Sequence, residues 1–438
     1  MADLIEPRIL KGFRDFLPSA EIERRSLVEK IEASFRLYGF VPIDTPALEY
    51  ADILLGKGGG ETEKQIYRFA DNGGRDVALR FDLTVPFARF LAEHYAELPL
   101  PFKRYHIAKV WRGENTQRGR YREFTQCDFD CVGSDSAAAD FEILLMMKNT
   151  LSAIGVKDIT IRINHRGLFN RFLDRIGCRD KSAEILRAVD KLAKTGRDAT
   201  LASLIETTGA ENAAKILAYT GAGGGFGETL AGLTEAAGGP SPESERLSLI
   251  RRFMEDTGTA SSFVLDPSIT RGLDYYTGVV YETFINELPG IGSVCSGGRY
   301  DNLVGLYSKE KLSGVGSSIG LDRLIAALEA LGKDRPRGAY ARAAVACLDE
   351  RSCGAYQALA EKFRERGAAC EVFTEAKKLS RQFALAEKKG AEFVIIPGEA
   401  PLSGKLALRE ISGRRDRENL DFEEALEIIT RKDIKEGP

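Results

Sequence analysis

The chain has 438 residues, too many for one ordinary hydrophobic core, so two or three domains are expected. Hydrophobic residues at 43% and charged residues at 29% fit a water-soluble globular protein; no apolar run reaches the ~18 residues of a membrane span and no apolar leader follows MADLIEPRILKGFRDFLP, so the expected location is the cytoplasm with no membrane partner. The net charge of −3 excludes a uniformly basic nucleic-acid binder but not a local basic surface.

Taken in order, residues 20–38 (AEIERRSLVEKIEASFRLY) put Val28, Ile31, Phe35 and Tyr38 on one helical face, with Gly39 as a stop. A short strand, FVPID, then runs into Thr45-Pro46. Two readings are open: a core helix with an edge strand, or a helix–strand pair whose exposed strand meets a second subunit. From 77 to 135 the pattern is strand-like: VALRFDLTVPFARFL, then FKRYHIAKVWRGEN, a basic loop TQRGRYR, and EFTQCDFDCVG. The two runs flanking the basic loop predict a long antiparallel hairpin. In its second arm Phe124, Gln126, Asp128 and Asp130 share one face, with Cys127, Phe129 and Cys131 on the other. A polar, acidic face opposite an apolar one suits a sheet whose open side holds a ligand. Helical spacing returns over 136–155 (Phe141, Leu144, Leu145, Leu151, Ile154), followed by an alternating strand, ITIRIN.

Residues about 178–255 are helical in propensity, broken by GAGGGFG and GGPSPES, and are read as a helical insertion. The glycine run 221–227 lacks the GK[ST] of a phosphate loop and is read as a connection. Strands resume at 262 with FVLDPSI, RGLDYYTGVVYETFI and SVCSGGRYD, and GVGSSIGLDRLIAALEALG is a strand running into a helix. A composition break at 333–342 marks a linker. After it AAVACL, a helix to Arg366, ACEVF, a helix to Lys389, AEFVIIPG, KLALREI and a helix over 421–431 predict a compact α/β domain.

Seven scattered cysteines without a CxxC pair read as reduced thiols, and the three histidines (His94, His106, His165) are not spaced as ligands. No protein-held metal is therefore expected, although Mg2+ carried in by a nucleotide stays open. Arg112, Arg118, Arg120, Arg122, Arg271 and Arg323 lie among aromatic and acidic residues. A guanidinium binds phosphate oxygens bidentately and keeps its charge in a dry site, which suits a triphosphate. Equally, any one of 62 basic residues taken alone is an ordinary surface ion pair, so the residues by themselves leave both readings open.

WRGE (Trp111–Glu114) followed by REFTQCDFD resembles motif 2 of the class II aminoacyl-tRNA synthetases. GVGSSIGLDR (314–323) resembles their motif 3, and the segment ending at Pro46 resembles motif 1. RGLDYYTG (271–278) and SGGRYDNLVG (296–305) resemble the histidine-specific motifs of the histidyl-tRNA synthetase family, while LRFDLTVPFARFL and KRYHIAKVWR resemble its form typical of eukaryotes. The resemblance implies an α+β catalytic domain over 1–335, a mixed, mainly antiparallel sheet with flanking helices that contains the insertion at about 178–255. It also implies a C-terminal α/β anticodon-binding domain over 340–438, and a homodimer that activates histidine with ATP and Mg2+ and loads it onto tRNA.

By the same resemblance Arg112 would hold the α-phosphate, Glu114 the adenine amino group, Phe124 the adenine ring and Arg323 the γ-phosphate. Arg271 would neutralise charge at the α-phosphate in the transition state. Asp82, Thr84 and Gln126 would receive the amino and carboxylate groups of histidine, and Asp130 with Tyr275 and Tyr276 would face its imidazole, whose two nitrogens both need partners. GKGGGETE (56–63) is read as a lid over histidine or as a mobile loop. TQRGRYR (116–122) is expected to meet both ATP and the tRNA acceptor end. The competing reading is a non-catalytic relative, the regulatory subunit of ATP phosphoribosyltransferase; the intact RGLDYYTG and the domain after residue 340 weigh against it.

Overall fold

A computed structural model describes residues 4–56, 63, 65–270, 276–301, 304–333, 339–402 and 404–431. Arg271, Tyr275 and most of GKGGGETE lie outside the described residues. The chain divides into two compact units, Met1–Arg14 with Leu27–Asp334, and Asp15–Ser26 with Arg335–Pro438.

The first unit is built on an eight-stranded sheet. Its strands in chain order are β1 (Val41–Pro42), β5 (Phe102–Trp111), β6 (Glu123–Val132), β7 (Ile159–His165), β8 (Phe263–Leu265), β9 (Val279–Ile285), β10 (Cys295–Tyr300) and β11 (Gly314–Gly320), and in space they run β1-β5-β6-β11-β10-β9-β7-β8. Only the two edge pairings, β1 with β5 and β7 with β8, are parallel. A small antiparallel sheet of β2 (Leu48–Tyr50), β3 (Arg68–Ala70) and β4 (Asp76–Leu79) stands before it in the chain, with β4 in the middle.

The hairpin of β5 and β6 pairs from Phe102 with Val132 to Trp111 with Glu123 without a break, as the alternation predicts. Cys127, Phe129 and Cys131 enter the main core with Leu144, Met147, Ile161 and Ile163. The helix Pro18–Leu37 brings Ile31 and Phe35 to the same core, and Gly39 at φ +77 ends the turn that follows it. The helix Ala137–Ala153 covers the sheet, started by a Ser136 side chain that accepts from the Ala138 N–H.

One expectation is overturned. LTVPFARFL, read as extended, contains the helix Thr84–His94. Its β-branched Thr84 and Val85 mimic a strand. Pro86 lies in the first turn, however, where its missing N–H has no intrahelical partner to lose, and Asp82 Oδ1 accepts from the Val85 N–H at 3.1 Å.

Residues 182–256 form six helices whose buried faces, among them Ile185, Leu204, Ile216, Leu233 and Ile250, belong to the same core cluster as the sheet. Residues 221–225 of the glycine run connect the helices Ala210–Thr220 and Phe226–Ala236, and its last two residues open the second helix.

The second unit carries β12 (Ala343–Val345), β13 (Cys370–Val372), β14 (Phe393–Pro397), β15 (Leu406–Glu410) and β16 (Arg415–Leu420) in the order β13-β12-β14-β15-β16. Its core gathers Val345, Leu359, Phe363, Val394, Ile395 and Leu426 from strands and helices together. β16 has no counterpart in the sequence reading. Its residues RDRENL are almost wholly exposed, so no apolar alternation marks it, and the charges blunt the open edge of the sheet.

Candidate active site

The centre of the large sheet has one face almost without side chains. Gly316, Ser318 and Gly320 of β11 stand beside Asp130, Asp128 and Gln126 of β6, and Gly298 and Ser296 of β10 continue the row. Glu282 and Val280 of β9 form the far side. The result is a trough floored by glycine and serine and walled on one side by three polar side chains, which the alternation of β6 predicts.

The near wall is acidic and buried. Gln126 donates through Nε2 to Ser318 Oγ at 2.8 Å. Asp130 Oδ1 accepts from the Tyr300 hydroxyl at 2.7 Å, and its Oδ2 lies 2.7 Å from Arg104 Nη2. Arg104 is fully buried, with its guanidinium 4.0 Å from the centre of the Phe87 ring. Among the described residues, Asp82 Oδ2, Gln126 Oε1, Asp128 Oδ1 and the Arg104 Nε and Nη1 have no hydrogen-bond partner. Such a concentration of buried, unsatisfied polar atoms is costly unless a polar ligand or water completes it.

Burial raises the carboxyls of Asp82, Asp128 and Asp130 above the ordinary aspartate range, and Arg104 pulls each of them back. Asp128 is pushed up to about 7, with the Asp130 charge adding to the effect of burial. His106, opposite Asp128 on β5, places Nε2 2.9 Å from Asp44 Oδ1. Burial and the charges of Arg104 and Arg80 push His106 down to about 4, so it adds no positive charge at neutral pH.

A pH dependence follows. Asp128 has a folded-state value above its unfolded 3.8, so its contribution to stability is complete at acid pH and is lost as pH rises through about 7. Relative to Asp128→Asn, the ligand-free protein should therefore lose melting temperature as pH rises from about 4 to about 7, a trend that His106 and His165, both pushed down to about 4, oppose in the total. Parallel melting curves for the two proteins would show that Asp128 is already ionised at acid pH.

The second half of the site lies at the end of the hairpin. Arg112 donates through Nε to the Phe81 carbonyl at 2.9 Å, its guanidinium carbon is 5.2 Å from the centre of the Phe124 ring, and its Nη1 is 3.9 Å from Glu114 Oε1. Arg120 Nη1 approaches the other Glu114 oxygen at 4.0 Å. The basic loop closes tightly, with Gln117 and Arg120 exchanging backbone hydrogen bonds and Gly119 at φ +72. A Cβ on Gly119 would stand 3.4 Å from Arg323 Cα, which brings the loop tip against the start of the helix Leu321–Ala330. Arg323 Nη1 donates to the Ser293 carbonyl at 2.5 Å. Burial lowers it to about 10, with Arg120 and Arg112 repelling it and Glu282 and Glu114 opposing them. Three guanidinium groups thus crowd one end of the trough, an arrangement that an anion of several charges relieves.

Asp82, Gln126, Asp130, Arg112, Glu114, Phe124 and Arg323 consequently occupy one connected site. Asp82 and Asp130 both feel Arg104, and Asp82 and Arg323 both feel Arg112. Thr84 begins the helix whose Val85 N–H donates to Asp82. Tyr276 is buried beside Gly298, whose added Cβ would lie 2.8 Å from the Tyr276 ring. The sequence reading passed over Arg104, Asp128, Tyr300 and Ser318. Only the register that sets Arg104 against Asp130 and Ser318 against Asp128 reveals them, although the alternation had already put Asp128 on the right face.

Comparison with known proteins places these motifs in context. Residues 12–324 match the histidyl-tRNA synthetase family, and residues 342–432 match the anticodon binding domain. The chain is 52% identical to a histidine–tRNA ligase of Treponema denticola, over 95% of this chain and 97% of that one. It is 49% identical to that of Rhodopirellula baltica over 90% and 91% of the two chains. The crystal structure of a histidyl-tRNA synthetase from a Nostoc species superposes with a TM-score of 0.84 at 31% identity, covering 97% of this chain and 99% of that one. A Bacillus halodurans structure described as an ATP phosphoribosyltransferase regulatory subunit/histidyl-tRNA synthetase shares the fold, with a TM-score of 0.75 at 22% identity over 90% of this chain and 99% of that one.

Proposed function

This chain belongs to the histidyl-tRNA synthetase family, and from that premise we propose that it activates histidine with ATP and passes the histidyl group to the terminal adenosine of its tRNA. The observation that carries the reading is the division of one trough into an acidic, buried end and an arginine-lined end. The first suits a cationic amino acid with a polar ring, the second a triphosphate.

In the first step the histidine carboxylate attacks the α-phosphorus and pyrophosphate leaves. Arg112, fixed by Phe81, holds the α-phosphate, and Glu114 and Phe124 receive adenine by hydrogen bonding and stacking. Arg323 takes the γ-phosphate. Arg271, in the histidine motif, neutralises charge at the pentavalent phosphorus. At the other end Asp82, Thr84 and Gln126 hold the α-amino and carboxylate groups, while Asp130, Tyr275 and Tyr276 address the imidazole. In the second step a ribose hydroxyl of tRNA attacks the adenylate carbonyl. No protein nucleophile is needed; positioning and charge neutralisation supply the rate.

Among the described residues no group of three His, Cys, Asp or Glu side chains could hold a metal ion. Mg2+ is accordingly assigned to the nucleotide, entering on the ATP phosphates as part of the substrate. No described helix is long and apolar enough to cross a membrane, and a cytoplasmic enzyme is the reading adopted. The catalytic domain is taken as residues 1–335 with the helical segment 178–255 inside it, and the anticodon-binding domain as 340–438. A homodimer is proposed to form through the short edge strand β1, where Val41 is exposed.

The test is histidine-dependent exchange of labelled pyrophosphate into ATP, with the other amino acids run in parallel. Exchange with histidine alone is expected. Folded protein that exchanges nothing would move the assignment to the regulatory relative.

A further inference from the structure

The N-terminal segment Lys11–Arg14 crosses the arginine-lined end of the trough, and nothing in the proposed reaction uses it. Gly12, at φ +90, turns its carbonyl to accept from the Arg122 N–H at 2.9 Å, and the Lys11 carbonyl lies 3.4 Å from Arg122 Nη1. A Cβ on Gly12 would meet Arg122 Cγ at 2.7 Å and Thr116 Cγ2 at 2.9 Å, so the strap lies directly on both limbs of the basic loop. Two residues on, the Arg14 guanidinium stacks 3.6 Å from the centre of the Tyr121 ring and forms an ion pair with Asp322 Oδ1. The other oxygen of Asp322 accepts from the Thr125 N–H at 2.7 Å, and Asp322 is buried. Arg14 therefore touches the loop through its aromatic residue and the helix that carries Arg323 through a buried carboxylate.

We propose that Arg14 is a positioning residue for the nucleotide: by clamping Tyr121 and Asp322 together it fixes the loop 116–122 and Arg323 at the spacing a bound triphosphate requires. The inference rests on the ATP reading given above. Arginine is suited to the task because one planar group can stack on a ring and pair with a carboxylate at once, whereas lysine offers a compact point charge with no plane to stack. The strap itself supplies no phosphate ligand. Its effect is on the cost of ordering the loop, which is felt when ATP binds and not when histidine does.

The experiment is steady-state pyrophosphate exchange by the full-length protein, with the KM for ATP and the KM for histidine measured separately. The proteins compared are wild type, Arg14→Ala, Arg14→Lys, Tyr121→Ala, Tyr121→Phe and the double variant Arg14→Ala/Tyr121→Ala. Arg14→Ala and Tyr121→Ala should each raise the ATP KM about tenfold with the histidine KM unchanged, and the double variant should be no worse than the single ones. Tyr121→Phe, which keeps the ring, should behave as wild type, and Arg14→Lys should recover only part of the loss. Equal rises in both KM values, or additive effects of the two alanines, would overturn the proposal by showing a general structural defect. An unchanged ATP KM in Arg14→Ala would overturn it directly. Absence of exchange in the wild type would instead remove the ATP reading on which it stands.

Discussion

Arg112→Ala should lower the rate of histidine-dependent pyrophosphate exchange by about 10²–10³-fold while leaving the melting temperature nearly unchanged. The expected size comes from how the side chain is held. Its Nε is committed to the Phe81 carbonyl at 2.9 Å, which fixes the plane of the guanidinium before any ligand arrives. Phe124 below and Glu114 beside it limit the remaining rotation. A charge held in place in advance stabilises a transition state without reorganisation at the moment of reaction. The small effect on stability follows from its position: the side chain is about 30% exposed and its one close hydrogen bond is to a backbone carbonyl that water can reach after truncation. Arg112→Lys should recover little, since lysine has no Nε to anchor and no plane to stack. Exchange within a few-fold of wild type in Arg112→Ala would mean that Arg120 or Arg323 holds the α-phosphate instead.

That side chain was singled out through the resemblance of WRGE to motif 2, whereas the face of the neighbouring strand was legible on physical grounds. The hairpin of β5 and β6 has an unbroken period of two, so the faces of Phe124, Gln126, Asp128 and Asp130 could be assigned without coordinates. The basic loop between the strands left no doubt where the turn lay. Other parts of the site depend on register, which single-strand patterns do not carry. FKRYH presents two basic residues in succession, and nothing local distinguishes Lys103, which pairs outward with Glu142 at 2.7 Å, from Arg104, which is buried against Asp130. Tyr300 was quoted within SGGRYDNLVG without a role, because its hydroxyl reaches Asp130 across two intervening strand pairings. The helix Thr84–His94 was missed because Thr, Val and Phe carry a strand-like composition; Pro86 in the first turn and the Asp82 carboxylate that accepts from the Val85 N–H favour the helix. The same carboxylate thus both accepts from the first turn of a helix and lines the site.

The second large effect concerns the position of the Asp130 charge, and Gly316 makes it testable apart from the charge itself. A Cβ on Gly316 would stand 1.8 Å from Asp130 Oδ1 and 2.4 Å from its Cγ, far inside contact distance. Gly316 lies in a central strand with an extended backbone, so alanine suits the local conformation, but its Cβ would also stand 2.9 Å from the Phe129 carbonyl, so the neighbouring strand must give as well as the carboxylate. Gly316→Ala should therefore keep the charge and displace it, weakening histidine binding by roughly 100-fold or more while ATP binding persists. Asp130→Asn does the reverse, holding the position and removing the charge. It should weaken histidine binding to a similar degree and should also cost roughly 3–5 kcal/mol of stability, because Arg104 is fully buried and loses its ion-pair partner at 2.7 Å. Comparing histidine titrations with melting curves for the two variants separates the roles. Loss of affinity in both, with loss of stability larger in Asp130→Asn, places the imidazole partner where the structure puts the carboxylate. Normal histidine affinity in Gly316→Ala would mean that the imidazole is read elsewhere along the trough, with Asp128 the next carboxylate on the same face of β6.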